Sequence, residues 1–312
     1  MAAWRKLGRV FKAEGQRPWM ASHTACPIPL ALGGGLVRVY FGTRDTNQRP
    51  RIAYLVLDMA EPTQILELSA DPVLEPGPWG HFDDNGVYPG CIINKSGRLL
   101  MYYIGRSNGR GPLYSMAIGL AESVDVGQTF KKTIPCPLVD RGPFDPWMVS
   151  TPWVLHEPGG GWRMWYLSGI SWESIENDVS LYHIKYAESD NGLEWRRDGR
   201  VALDIVGDET NIASPCVWSE DVGGYRAMYC VASRHGGYRL GEARSDDGMR
   251  WRKLGEPAGL EWSNAGWDST CMAYPASFLH GGQRYLFYSG NGNGKDGFGI
   301  ALEESWRQPG SL

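Results

Sequence analysis

A chain of 312 residues with 42% hydrophobic and 21% charged side chains has the composition of a soluble globular protein, which excludes disordered, collagen-like and fibrous classes. Its formal net charge of −4 arises from 31 Lys+Arg against 35 Asp+Glu with no block of like charge, so neither nucleic acid nor an anionic membrane is an expected partner. The 41 Gly, 20 Pro, 14 Trp and 15 Tyr, with short apolar runs between turn residues, point to β structure rather than helix.

Residues 1–6 carry basic side chains but no apolar run before a cleavage site, so no signal peptide is expected and the cytoplasm is the default location. The uncharged stretch Thr24 to Val37 is broken by Pro27, Pro29 and Gly33–Gly35 and falls short of the roughly 20 residues of a membrane span. The six cysteines form no C-x-x-C pair, which argues against structural zinc and against a disulfide framework.

A small or aromatic residue followed by proline recurs at Cys26-Pro27, Tyr88-Pro89, Thr151-Pro152, Ser214-Pro215 and Tyr274-Pro275, with proline spacings of 62, 63, 63 and 60. Each is followed by a turn and an aromatic strand: Val37–Gly42, Leu99–Gly105, Trp162–Ser168, Tyr225–Cys230 and Tyr285–Ser289. A third strand then ends in Ala-Glu-Ser or a close variant at Ser123, Ser189, Ser245 and Ser305. In three repeats a turn with a closing aromatic follows, as in Ser123-Val-Asp125-Val-Gly127-Gln-Thr-Phe130, Ser189-Asp190-Asn-Gly192-Leu-Glu-Trp195 and Ser245-Asp246-Asp-Gly248-Met-Arg-Trp251. An Asp or Ser side chain bonding the turn amides, with glycine at positive φ, makes these turns structural.

Four strands per repeat predict an all-β, five-bladed β-propeller of antiparallel four-stranded blades, a single domain over residues 1–312 with blades opening near 26, 88, 151, 214 and 274. Trp4-Arg-Lys-Leu-Gly8 repeats Trp251-Arg-Lys-Leu-Gly255, the outer strand of the fourth repeat, while the fifth stops at Ser305-Trp306. Residues 4–11 are therefore expected to complete the last blade and close the ring, removing open edges.

In a propeller the loops leading into the first strands and out of the second strands build one rim of a pocket. Acids fall just before the blade prolines at Asp83, Asp84, Asp145, Asp208, Glu209 and Asp268; Asp145, Asp208 and Asp268 share an offset of seven, and blade one carries His23 instead. Carboxyls converging on one axis suit glycosyl transfer, in which one protonates the leaving oxygen and another activates water or attacks the sugar. The alternative is that the repeated Asp caps each turn. The candidate proton-handling groups are Asp84, Asp145, Glu209, Asp268 and His23. The second strands lead out to Arg44, Arg106 and Arg234-His235, and three guanidinium forks at one equivalent place suit a carboxylate or phosphate. Asp83, His235, Trp147 and Trp267 complete the candidate substrate-binding set, and Trp19, Trp79 and Trp172 are further aromatics suited to stacking on sugar rings. His23, His183 and His235 show no metal-ligand spacing, so neither metal nor cofactor is expected. Gly290–Gly297 lacks a phosphate-loop spacing and reads as a flexible hairpin with Lys295 at the rim.

Ser123–Phe130 fits the S-x-D-x-G-x-T-[WF] box of sialidase-type propellers. Together the five repeats, the E-S-x-D-G-x-x-W turns and the acidic approaches resemble the five-bladed propeller superfamily that includes glycoside hydrolase families 32, 43, 68, 117 and 130. Their motifs W-M-N-D-P-N-G, R-D-P, E-C and E-G-P are absent, and the two residues before each blade proline include no acid, so the resemblance assigns no catalytic residue. It implies a carbohydrate-active enzyme, a glycoside hydrolase acting on a carbohydrate or sugar phosphate with carboxylate acid/base catalysis. A family-130-like phosphorylase or transferase and a non-catalytic glycan- or protein-binding propeller are the alternatives.

Overall fold

The computed structural model describes residues 3–109, 113–174, 179–221, 223–234, 236–255 and 258–304; His235, Ser305 and Trp306 lie outside them. Strand β1 (Ala3–Phe11) is followed by β2 (Ser22–Gly33), β3 (Leu36–Arg44), β4 (Pro50–Asp58) and β5 (Ile65–Leu68), of which β2 to β5 pair in that order into one sheet. β6 (Gly86–Lys95), β7 (Arg98–Ser107), β8 (Ser115–Ser123) and β9 (Lys131–Lys132) repeat the pattern. A third group comprises β10 (Val149–His156), β11 (Trp162–Ser174), β12 (Val179–Ser189) and β13 (Val201–Leu203), and a fourth β14 (Glu209–Ser219), β15 (Tyr225–Ser233), β16 (Arg239–Ser245) and β17 (Arg252–Gly255). The third and fourth are joined by the parallel bridge Tyr182↔Asn211. The last sheet runs β18 (Ala273–His280), β19 (Gln283–Ser289), β20 (Phe298–Glu304) and then β1, which pairs antiparallel with β20 from Ala3↔Glu304 to Phe11↔Phe298. Within each group the pairing is antiparallel, and the first strands touch in the cycle β2, β6, β10, β14, β18 and back to β2.

The serine-aspartate turns lock one sheet to the next. Ser123 Oγ accepts the Gly127 amide at 2.9 Å and Asp125 accepts the Thr129 amide at 3.0 Å. Burial raises the Asp125 pKa, but bonds from Ser123 and Thr129 outweigh it and hold the carboxyl at about 2. In the two shorter turns the bonding side chains are Asn191 and Asp247, not Asp190 and Asp246; Asp190 pairs outward with Arg196. Gly127, Gly192 and Gly248 adopt φ of 81°, 77° and 76°. Their carbonyls accept hydrogen bonds from Tyr40 Oη (2.8 Å), Tyr102 Oη (2.9 Å) and Trp165 Nε1 (2.7 Å) of the preceding sheet. A Cβ on Gly127 would lie 2.0 Å from the Tyr40 hydroxyl, so glycine is required there for its size as well as its φ.

At the axis, Cys26, Thr151, Ser214 and Tyr274, each preceding a proline, take positive φ of 56°, 38°, 50° and 55°. This backbone is sparsely populated by L-residues, and a register shift accompanies it in β2, β10, β14 and β18. The prolines turn inward around a lumen of about 20 Å³, room for a single water, lined by Pro89, Pro152, Pro215 and Pro275. Trp153 touches four of the hydrophobic clusters and donates to the Val217 carbonyl at 2.7 Å. Buried thiols also bind the strands together: Cys91, Cys216 and Cys230 accept amides of Val154, Ser277 and Tyr274, and burial pushes each thiol up to about 12.

Candidate functional site

The repeated acids point away from the axis. Asp83, Asp145 and Asp268 are 1%, 0% and 1% exposed, and each lies between a second-strand tyrosine and a cation from the outer part of its sheet. Asp83 accepts Tyr103 Oη at 2.9 Å and pairs with Lys132 at 2.6 Å. Asp268 accepts Tyr288 Oη at 3.0 Å and pairs with Lys6 at 2.6 Å. Asp145 accepts Ser168 Oγ at 2.7 Å and Tyr166 Oη at 3.2 Å, and pairs with Arg197 at 2.9 Å and Lys185 at 3.4 Å. Phe82 stacks on Tyr103 and Trp267 on Tyr288, with ring centroids 6.0 and 5.2 Å apart. A carboxylate covered by its own tyrosine and cation is out of reach of a sugar. These clasps correct the expectation that Asp145 and Asp268 handle protons and that Asp83 and Trp267 bind substrate.

The remaining carboxyls are also engaged elsewhere. Asp84 accepts the Gly80 amide at 2.9 Å and stabilises a surface loop. In the fourth sheet Asp208 is exposed, and Glu209 takes the clasp cation, pairing with Lys253 at 2.6 Å while accepting the Val206 amide at 2.8 Å. Beside this pair a surface cavity of about 450 Å³ is lined by Asp208, Glu209, Arg239 and Lys253, among others. Neither Asp84 nor Glu209 joins the other predicted groups at the axis.

At the axis the side chains are cationic and phenolic. Arg44, at the end of β3, donates from Nε to Tyr88 Oη at 3.2 Å, and Arg106, at the end of β7, lies 5.2 Å from the Tyr114 ring centroid. Among the described residues neither guanidinium has a carboxylate partner. Among the described residues Arg106 Nε, Trp147 Nε1 and Trp172 Nε1 are buried without an acceptor, and the rings connecting them are in contact, Trp147 to Trp172 at 4.8 Å and Trp172 to Tyr114 at 5.5 Å. Trp147 lies flat on Gly169, where a Cβ would be 2.1 Å from the indole. Three unpaired donors in one apolar corner favour an acceptor-only group such as a carboxylate, sulfate or phosphate.

Tyr182 and Tyr238 share a hydrogen bond and pack with Tyr274 over Cys230 and Cys271. Burial, then the neighbouring Tyr182, pushes the Tyr238 phenol well above its usual range; burial, then Cys26 and Tyr88, does the same for Tyr274. His23, with φ of 62°, is held below its ordinary pKa, at about 4, by burial first and then by Arg44 and Lys295. A histidine so held is neutral at pH 7, and a neutral imidazole accepts protons.

Arg234 is exposed and forms a bidentate pair with Glu173. That pairing removes it from the expected trio of arginines, leaving Arg44 and Arg106. The Gly290–Gly297 segment is tied down: Asn291 Oδ1 accepts Thr270 N at 2.8 Å, and a Cβ on Gly294 would lie 2.5 Å from the Thr24 carbonyl, so the expected flexible hairpin is instead a fitted turn that brings Lys295 near His23. Sequence reasoning missed Tyr88, Tyr114, Tyr182, Tyr238 and Glu173. Tyr88 carried a signal, since it precedes a blade proline.

No family model matches the chain. Over 304 residues, 97% of this chain and 100% of the other, it is 39% identical to the uncharacterized protein MT1551 of Mycobacterium tuberculosis (strain CDC 1551 / Oshkosh). The chain belongs to the MT1551 family. The uncharacterized protein Rv1502 of M. tuberculosis (strain ATCC 25618 / H37Rv) is 38% identical over 303 residues with the same coverage, so the MT1551 family shares its whole length with this chain. Among solved structures, an RGII complex of BT0996 superimposes with a TM-score of 0.73 at 17% identity, covering 97% of this chain and 91% of that one. A thermostable family-43 glycoside hydrolase gives 0.67 at 16%, covering 90% and 88%, and a structure from the GH130 family gives 0.69 at 15%, covering 96% and 93%. This member of the MT1551 family thus has the all-β fold of the propeller glycoside hydrolases. Among the described residues no helix is long and apolar enough to cross a membrane.

Proposed function

We propose that the protein is a cytoplasmic carbohydrate-active enzyme, a single five-bladed propeller domain closed by β1, that acts at a glycosidic bond of a sugar carrying an anionic group. The observation that carries this reading is a set of donors toward the axis that, among the described residues, lack acceptors: Arg44 and Arg106 without carboxylate partners, and Trp147 and Trp172 with unpaired indole N–H groups. A carboxylate, sulfate or phosphate on the sugar satisfies these donors, and the aromatic rings beside them suit its C–H faces. Fold likeness to glycoside hydrolases supports the substrate class, because sugar-binding pockets of such propellers lie on the axis.

In this reading the neutral His23 imidazole handles the proton, and the Tyr182–Tyr238 hydroxyl pair positions the sugar by hydrogen bonding. The clasped Asp145 and Asp268 take no part, and Asp84 and Glu209 act through loop and ion-pair contacts. Hydrolysis is the favoured reaction. The grouping of Arg44 and Lys295 near His23 also favours a second reading, in which the anion is inorganic phosphate and the bond is cleaved by phosphorolysis.

A thermal-shift panel tests the proposal, using galacturonate, glucuronate, sialic acid, sugar phosphates, inorganic phosphate and neutral hexoses. A ligand present at 100 times its Kd raises stability by about 2.7 kcal/mol. Stabilisation by the anionic compounds, lost in Arg44→Ala and Arg106→Ala, is expected. Stabilisation by neutral sugars alone overturns the anion site. Release of sugar only when inorganic phosphate is added selects phosphorolysis, and binding without turnover under either condition leaves a glycan-binding module.

A further inference from the structure

Trp79 is 80% exposed, whereas the other described tryptophans are buried or half-buried. The loop that carries it is built to keep it there. Pro76 and Pro78 flank Gly77 and restrict the backbone, the Asp84 carboxylate accepts the Gly80 amide at 2.9 Å, and the Gly77 amide donates to the Asp83 carbonyl at 3.2 Å. Arg49 stands over the indole, 5.4 Å from its centroid, and is itself fixed by donating to the Asp84 carbonyl at 2.9 Å. A large apolar ring held in water by a rigid loop forgoes the stabilisation that burial would supply, which a bound partner restores.

The loop is tied to the ends of both strands that carry the axial arginines. Arg49 belongs to the same hairpin tip as Arg44, where Asp45 Oδ1 accepts the amides of Asn47 and Arg49 at 2.9 Å each. On the other side, Asn85 follows Asp84 directly and donates its amide to the Arg106 carbonyl at 3.0 Å. We infer that Trp79 is a second sugar subsite, so that the substrate is an oligosaccharide with its acidic unit on the axial arginines and at least one further unit stacked on this indole. The inference rests on the anionic-sugar reading above. A flat ring with a C–H face and polar edge matches a sugar unit, and the rigidity of the loop means that little freedom is lost on binding.

Calorimetric titration with galacturonate and with oligogalacturonates of increasing length, on the wild-type chain and on Trp79→Ala, Trp79→Phe and Arg44→Ala, tests it. The expected result is that wild-type affinity rises with length and that Trp79→Ala lowers oligosaccharide affinity by about tenfold, equivalent to about 1.4 kcal/mol. In the same variant galacturonate affinity stays unchanged, and Trp79→Phe recovers most of the loss. Oligosaccharide binding by Trp79→Ala equal to wild type, or an equal loss for monomer and oligomer, overturns the subsite while leaving the axial site in place. No binding of any acidic sugar to the wild-type chain, together with an inert Arg44→Ala, overturns the axial reading and the subsite with it.

Discussion

Tyrosines occupy two regions of this molecule with opposite partners. In the flanks of three sheets, Tyr103, Tyr166 and Tyr288 donate to carboxylates that cations already neutralise, and every partner is covered. At the axis, Tyr88 accepts from Arg44 and Tyr182 bonds Tyr238, and no carboxylate of the described residues reaches the two arginines. The same side-chain chemistry is structural where acid and base balance and available to a ligand where base is in excess. Satisfaction of charge, rather than the type of residue, separates scaffold from site.

The strongest way to break this comparison is to remove a clasped acid. Asp268→Ala leaves the buried Tyr288 hydroxyl and the half-buried Lys6 without their shared acceptor, and leaving such a buried group unsatisfied costs about 1–3 kcal/mol. Chemical denaturation should show that loss; a change below about 1 kcal/mol would mean that the clasp is not structural. Arg106→Ala should do the reverse, leaving the denaturation midpoint nearly unchanged while weakening binding of an acidic sugar by about tenfold or more, since hydrogen bonds to charged groups contribute about 1.5–3 kcal/mol. A variant that unfolds without losing the ligand would invert the assignment.

Titration sharpens the comparison further. Because His23 is held at about 4 in the folded chain, against about 6.5 for a free histidine, the unfolded state binds more protons between those values. Its contribution to stability is complete above about pH 6.5 and declines as pH falls toward about 4. In His23→Asn, which tolerates the same positive φ, the slope of stability against pH in that window should be shallower than in the wild-type chain. The smallest effect belongs to the inter-sheet latches. Tyr102→Phe removes one donor from the Gly192 carbonyl and should cost about 1 kcal/mol by denaturation, with ligand binding intact.

Much of the architecture was legible because it repeats. The proline spacing located the first strands, and the match between Trp4–Gly8 and Trp251–Gly255 anticipated the pairing of β1 with β20. The site was less legible, because an offset along the chain does not say which way a side chain turns. The shared offset groups Asp145 and Asp268 with Asp208, whereas Asp208 is exposed and it is Asp83, six residues before Pro89, that forms the matching clasp. A second set held the missing information: Phe130-Lys-Lys132, Trp195-Arg-Arg197, Trp251-Arg-Lys253 and Trp4-Arg-Lys6 each place a cation two residues after an aromatic. Set beside one acid per repeat, they amount to an ion pair in each of four sheets. The axial tyrosines gave little signal, since Tyr114, Tyr182 and Tyr238 lie near the starts of third strands and only the fold brings them together.

The pair between Lys6 and Asp268 spans 262 residues of sequence. On a growing nascent chain, β1 is made long before β20 and lacks this partner until β20 emerges. For most of synthesis it remains an unpaired strand with open amides and carbonyls, and β18 to β20 can fold against it only after the other sheets exist. Contacts of such long separation form late and slowly, and an orphaned edge is what chaperones and neighbouring chains capture. The contact that seals the last sheet therefore also sets the interval during which the protein is most open to misassembly.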